Sequence, residues 1–256
     1  MQGYVPPPPS FFEQAQVVDP VQERLDFLRK VYRLLALTVL VAAAGAMFSL
    51  YAGASSSATM IRLSAGEVIA VPPLVAFFAR HWIIGFVLLF GAVMGVRVVQ
   101  HKPGINTAAL LSTGFLSGLY VAPLVFVVQL RALDGTALTL HPVRDAFLLA
   151  VAAFSGLTGY VMVTKKDFSF LRGLLTTGFW VVLGAIVLSW IAGSSVLSLA
   201  GASAGVLLFS GFILYDTSRM LHDTEERLEP VPATINLFLN FLNLFLFLLR
   251  IFGGRR

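Results

Sequence analysis

The sequence predicts an all-α polytopic membrane protein, and three observations carry that expectation. Apolar side chains make up 57% of the 256 residues and charged ones only 12%, about half the share of an ordinary soluble domain. The apolar residues fall in seven runs, and about 20 helical residues rising about 1.5 Å each cross a bilayer core of about 30 Å. Cysteine is absent, which excludes a disulfide scaffold, and the low charge excludes a disordered chain.

Met1 to Ser10 holds four consecutive prolines, which favour an extended polyproline conformation, so residues 1–20 read as a flexible tail and 21–256 as one seven-span domain. From Asp19 to Arg33 the chain is charged, with Val21, Leu25 and Leu28 at helical spacing. This pattern predicts an interfacial helix leading into the first span. No cleavable signal peptide is expected, because the first apolar run begins too far from Met1.

The spans then follow in order: Leu34 to Gly53, Trp82 to Val99, Thr107 to Leu130, Ala146 to Val163, Gly173 to Ala192, Val196 to Tyr215 and Ala233 to Phe252. The second has a blurred start. Val68 to Ala79 is also apolar but carries the Pro72-Pro73 pair, and proline removes amide donors, so this stretch reads as a loop or a broken lead-in. Three G-x-x-x-G pairs, Gly91/Gly95, Gly114/Gly118 and Gly201/Gly205, predict close helix packing where lipid supplies no hydrophobic drive.

Lys and Arg counted on alternate sides set the orientation. With the N-terminus cytoplasmic, eleven lie inside (Arg24, Arg29, Lys30, Arg33, Arg97, Lys102, Lys165, Lys166, Arg172, Arg219, Arg227) and seven outside. The basic excess predicts N-in and C-out. The net charge of +5 is therefore read as a topology signal, and no nucleic-acid partner is expected; the lipid bilayer is.

Ionisable side chains within spans are costly and point to function. Two stand near the inner ends of spans: Arg97 on the second and Asp216 on the sixth. On the seventh, Asn236, Asn240 and Asn243 fall at i, i+4 and i+7 and share one helix face. Asn236 and Asn243 read as packing residues, with interhelical hydrogen bonds worth about 1 kcal/mol each. Asn240 lies about 13 Å up its helix, at about 1.5 Å per residue, at a height where Asp216 on the antiparallel sixth span can meet it. The four histidines, His81, His101, His141 and His222, show no metal-ligand spacing, and no hydrolase or kinase motif occurs, so no enzyme and no cofactor are expected. The cluster Asp223, Glu225, Glu226 and Glu229 reads as a solvated acidic turn, or as an attractor of divalent cations at a cytoplasmic mouth.

The closing run from Leu237 to Gly253, with the Tyr215-Asp216-Thr217 turn, the loop from Thr164 to Ser169 and the Ser117-Gly118 to Pro123 pattern, resembles the Bax inhibitor-1 family, which includes bacterial YccA-like and YetJ-like proteins. The resemblance runs from about Tyr32 to Gly253. It implies a seven-span bundle whose last helix is central and wrapped by the other six, in a bacterial inner membrane. It implies a pH-sensitive calcium leak controlled by two aspartates, one on each of the last two spans, with an arginine latch on the second. Asp216 matches the first aspartate, Asn240 replaces the second, and Arg97 matches the latch approximately.

The replacement has a physical consequence. Two close carboxylates share a proton, which makes them a pH sensor, whereas an acid and an amide lack that like-charge term. Calcium, expected as the transported ion, should be held only transiently by Asp216 and Asn240. The rival expectation from the resemblance is a non-conducting regulator of a membrane protease such as FtsH, recognised through the N-terminal tail.

Overall fold

A computed structural model describes residues 20–54, 59–62, 66–222 and 229–254. Eight helices occur among them: α1 (Pro20–Tyr51), α2 (Pro73–Arg80), α3 (Trp82–Val98), α4 (Ile105–Leu133), α5 (Pro142–Thr164), α6 (Leu171–Ala192), α7 (Ser195–His222) and α8 (Pro230–Phe252). A short antiparallel ribbon, β1 (Met60–Arg62) with β2 (Val68–Ala70), pairs Met60 with Ala70. Six helices are long and apolar enough to cross a membrane, and α2 with α3 forms a seventh candidate bent by 90°.

Two sequence expectations are corrected here. The charged stretch before the first span is no separate interfacial helix: α1 runs unbroken for 32 residues, about 48 Å at about 1.5 Å per residue. No proline follows Pro20 within it, and a stripe of Phe27, Leu28, Val31, Leu35, Thr38 and Ala42 is buried through its middle, across the boundary between the charged stretch and the apolar run. Leu25, expected on the apolar face, is 41% exposed. The Pro72-Pro73 pair, in turn, starts a helix rather than forming a loop, because Pro73 sits at the first helical position of α2, where its missing N–H has no partner to lose. The break in the second span comes at His81, which caps both α2 and α3 with φ −113° and ψ 46°.

Helix α8 is the axis of the bundle and packs against α7, α5, α1, α4 and α3. Ile235, Leu237, Leu244 and Leu249 on it are fully buried. Helix α6 packs on α7 and so stands outside that ring, a departure from the expectation that all six other spans wrap the last. On α3 and α6 the polarity is inside out: Phe86, Val87, Phe90, Trp180, Val181 and Ile191 are exposed, as lipid-facing side chains are.

The glycine pairs divide. At Gly114 and Gly118 the backbones of α1 and α4 touch: a Cβ on Gly118 would run into the Ala42 carbonyl oxygen and come within 2.7 Å of Ala46 N. A Cβ on Gly205 would lie 2.7 Å from the Phe247 ring. Gly91 and Gly95, expected to pack as well, face open space. The contrast gives a paired prediction. Gly118→Ala gains up to about 1 kcal/mol of helix propensity but forces two backbones apart at a cost of about 1–3 kcal/mol, so it lowers the thermal midpoint. Gly91→Ala gains the same propensity without the clash and leaves the midpoint unchanged or higher. Equal midpoints in a thermal-shift assay would remove the α1–α4 contact from the stability of the bundle.

Four contacts gather chain segments at one end. The Arg24 guanidinium donates to Leu221 O. Arg97 reaches Asn236, His101 Nδ1 lies 2.6 Å from a Glu229 carboxylate oxygen, and His222 Nε2 lies 3.0 Å from Lys165 O. The start of α1 and the segment after α3 therefore share an end. The bent α2–α3 pair returns the chain toward that end, and counted as one span it brings the candidate crossings to seven. The other end holds Gly253, whose carbonyl accepts from Arg131 at 2.8 Å.

Candidate functional site

Helices α7 and α8 lie side by side, and Asp216 on the first bonds the side chain of Asn240 on the second. Asn240 Nδ2 donates to Asp216 Oδ2 at 2.6 Å, and Asn240 is only 8% exposed. The neighbours Thr217 and Phe241 are buried as well. This is the contact that the heights of the two residues on antiparallel spans predict. It ties the last two helices together through the one carboxylate that lies within the apolar part of α7.

The three amides of α8 take three different partners. One turn from Asn240, Asn236 Oδ1 accepts from Arg97 Nη2 at 3.2 Å. Asn243 Nδ2 donates to Leu239 O of its own helix at 2.8 Å, and not across helices as expected for it. Arg97, expected as a latch on Asp216, binds the amide of Asn236 instead, and among the described residues no ion pair joins it to Asp216. Asp216, Asn240, Asn236 and Arg97 thus stand in series along one face of α8, linking α7 to α3.

The loop between α5 and α6 clamps the end of α7 close to this series. Ser218 Oγ accepts from Phe168 N at 2.9 Å and donates to Lys166 O at 3.2 Å. His222 bridges Ser218 O and Lys165 O at 2.9 and 3.0 Å. Within the loop, the Ser169 hydroxyl and then its backbone amide bond Asp167 and hold its carboxyl below the usual carboxylate range. A depressed carboxylate contributes stability above its unfolded value and loses it as pH falls through the lower folded one. The turn is accordingly intact at neutral pH and loosens only in acid.

Sequence reasoning missed a second polar group. The Tyr32 hydroxyl on α1 faces Thr217 on α7 and Thr158 on α5, and among the described residues none of the three side-chain oxygens has a partner at full hydrogen-bond geometry. Hydroxyls in spans usually bond back to the carbonyl four residues earlier, as Thr113 does to Ala109 O at 2.8 Å, so sequence gives no sign of which remain unpaired. Their convergence extends the polar interior from Asp216 toward α1 and α5. Of the acidic cluster, Glu229 pairs with His101, while Asp223, Glu225 and Glu226 lie outside the described residues, as does the tail that a protease regulator would use.

Among known proteins the likeness covers nearly the whole chain. A family profile described as inhibitor of apoptosis-promoting Bax1 matches residues 24–256. Protein lifeguard 4 of Mus musculus is 33% identical over 90% of this chain and 85% of its own. An uncharacterized membrane protein of Vibrio cholerae is 31% identical over 94% of this chain and 95% of its own. A Golgi anti-apoptotic protein of vaccinia virus is 30% identical over 90% and 86%.

Proposed function

The chain belongs to the Bax inhibitor-1 family, and from that premise we propose that it is a cation leak, permeable to calcium, gated where α7 meets α8. The observation that carries this reading is the 2.6 Å bond between Asn240 Nδ2 and Asp216 Oδ2, a lone acid held by an amide in the interior of the bundle. In this arrangement the amide occupies one carboxylate oxygen and closes the α7–α8 contact. Turned over, the same amide presents Oδ1 beside the carboxylate, and the two side chains together offer the hard oxygen ligands that calcium takes. One charge and one dipole hold a divalent ion weakly, which suits a leak, since a permeant ion must bind well enough to enter and loosely enough to leave.

The series Asp216, Asn240, Asn236 and Arg97 also gives the gate a mechanical link. A turn of the Asn240 amide releases α7 from α8, while Arg97 keeps α8 attached to α3 through Asn236. The test is calcium efflux from vesicles carrying the purified chain: efflux above that of protein-free vesicles, removed by Asp216→Asn, is the expected result. Efflux equal to that of empty vesicles sinks the proposal.

The same reading places the protein in a bacterial plasma membrane, with the Arg24, His101 and His222 end in the cytoplasm and the Gly253 end outside. The support is the excess of Lys and Arg on the first of those ends. A reporter enzyme active only outside the cell, fused after Arg256, is expected to be active, and a silent fusion reverses the orientation.

A further inference from the structure

Between α1, α4, α5 and α8 lies a cavity of about 800 Å³ that the Asp216 series does not use. Its walls are apolar, with Val39, Val125, Phe238 and Phe245 among them, and its polar groups gather at one end as Tyr51, Gln129, His141 and Arg144. We propose that this slot binds one acyl chain of a phospholipid, with the phosphate at Arg144. Three features of the slot support this occupant.

The first is depth. From Val39 to Tyr51, α1 lines the slot over thirteen residues, whose twelve steps rise about 18 Å at about 1.5 Å per residue. That is a little over half of a bilayer core of about 30 Å, so the slot spans one leaflet and ends where headgroups begin. The second is the rim. Met47, Leu133, Leu140 and Phe147 line the cavity and are 59, 66, 84 and 38% exposed, so the slot opens through large apolar side chains. An aqueous vestibule has a polar rim, whereas these four rim side chains are apolar.

The third is the polar end. The Arg144 side chain is 64% exposed, donates from Nε to Asp145 Oδ1 at 3.0 Å and holds Nη2 3.0 Å from the same oxygen, which leaves Nη1 and further N–H groups of its fork for a phosphate. His141 stands three residues before it, and Tyr51 supplies an aromatic hydroxyl of the kind that sits at headgroup level. The proposal is independent of ion conduction.

The experiment uses the purified full chain in vesicles doped with a phospholipid that carries a photoactivatable group on its acyl chain. Peptide mapping after illumination is expected to find label on Phe241 and Phe245, which line the slot, as well as on Trp180, which is 66% exposed and reports ordinary surrounding lipid. Ala43→Phe, which fills the slot from α1, lowers slot labelling about fivefold and leaves Trp180 labelling unchanged. Val39→Phe serves the same purpose if the first variant does not insert. Arg144→Gln lowers slot labelling about threefold by removing the phosphate contact. Slot labelling that survives both filling variants overturns the proposal, and complete displacement by an equimolar free fatty acid overturns the phospholipid assignment.

Discussion

Asp216→Asn lowers calcium efflux about a hundredfold, a change of about 2.7 kcal/mol in the barrier, without unfolding the bundle. The substitution preserves side-chain volume. Its new Oδ1 still accepts from Asn240 Nδ2, which now lies 2.6 Å from a carboxylate oxygen, so the α7–α8 contact persists. What disappears is the single negative charge within the apolar part of α7. At an effective dielectric near 20, each unit of charge on a cation about 4 Å away gains about 4 kcal/mol from that carboxylate, so the expected barrier change lies well within reach. The measurement pairs efflux with a thermal midpoint. A midpoint within a few degrees of the wild type, together with efflux near that of empty vesicles, assigns the effect to charge rather than to packing. A variant that keeps half of the wild-type efflux places the ion path elsewhere.

The contact itself is legible in the sequence because it depends on two regularities. The rise per residue fixes the height of Asn240 above the start of its helix, and antiparallel neighbours bring Asp216 down to meet it. Spans are legible for a similar reason: a bilayer demands length and apolarity, and both are written in each run. Partners of long side chains are not, because a guanidinium at the end of α3 reaches any acceptor within its radius. Arg97 finds Asn236 at 3.2 Å, one turn short of the acid, where the family resemblance implies a latch. Equal motifs also behave differently. Gly114/Gly118 and Gly91/Gly95 have the same spacing, but only the first faces another backbone, and spacing carries no information about the facing helix. Proline is ambiguous in the same way. A Pro72-Pro73 pair can close one element or open another, and only the fold shows that α2 starts there.

Asn240→Asp makes calcium handling depend steeply on pH, and this prediction tests what the amide does in the gate. The substitution puts a second carboxyl where an amide donor now lies 2.6 Å from Asp216 Oδ2. Two carboxyl groups that close cannot both ionise, so they share one proton and titrate as a pair with separated apparent values. With the shared proton in place the variant carries one negative charge, as the wild type does. When that proton leaves, the charge doubles, and calcium competes directly with the proton for the site. The calcium concentration giving half-maximal efflux therefore falls at least about tenfold between pH 6 and pH 8 in the variant, a change of about 1.4 kcal/mol. In the wild type the amide has no proton to lose in this range and the site charge comes from Asp216 alone, so the same quantity changes about threefold or less. Efflux from vesicles titrated with calcium at several pH values separates the two. Equal steepness in both proteins means that the acid-for-amide exchange at Asn240 does not set the pH response, and the sensor must then be sought among the other titratable groups at the Lys165 and His222 end of the bundle.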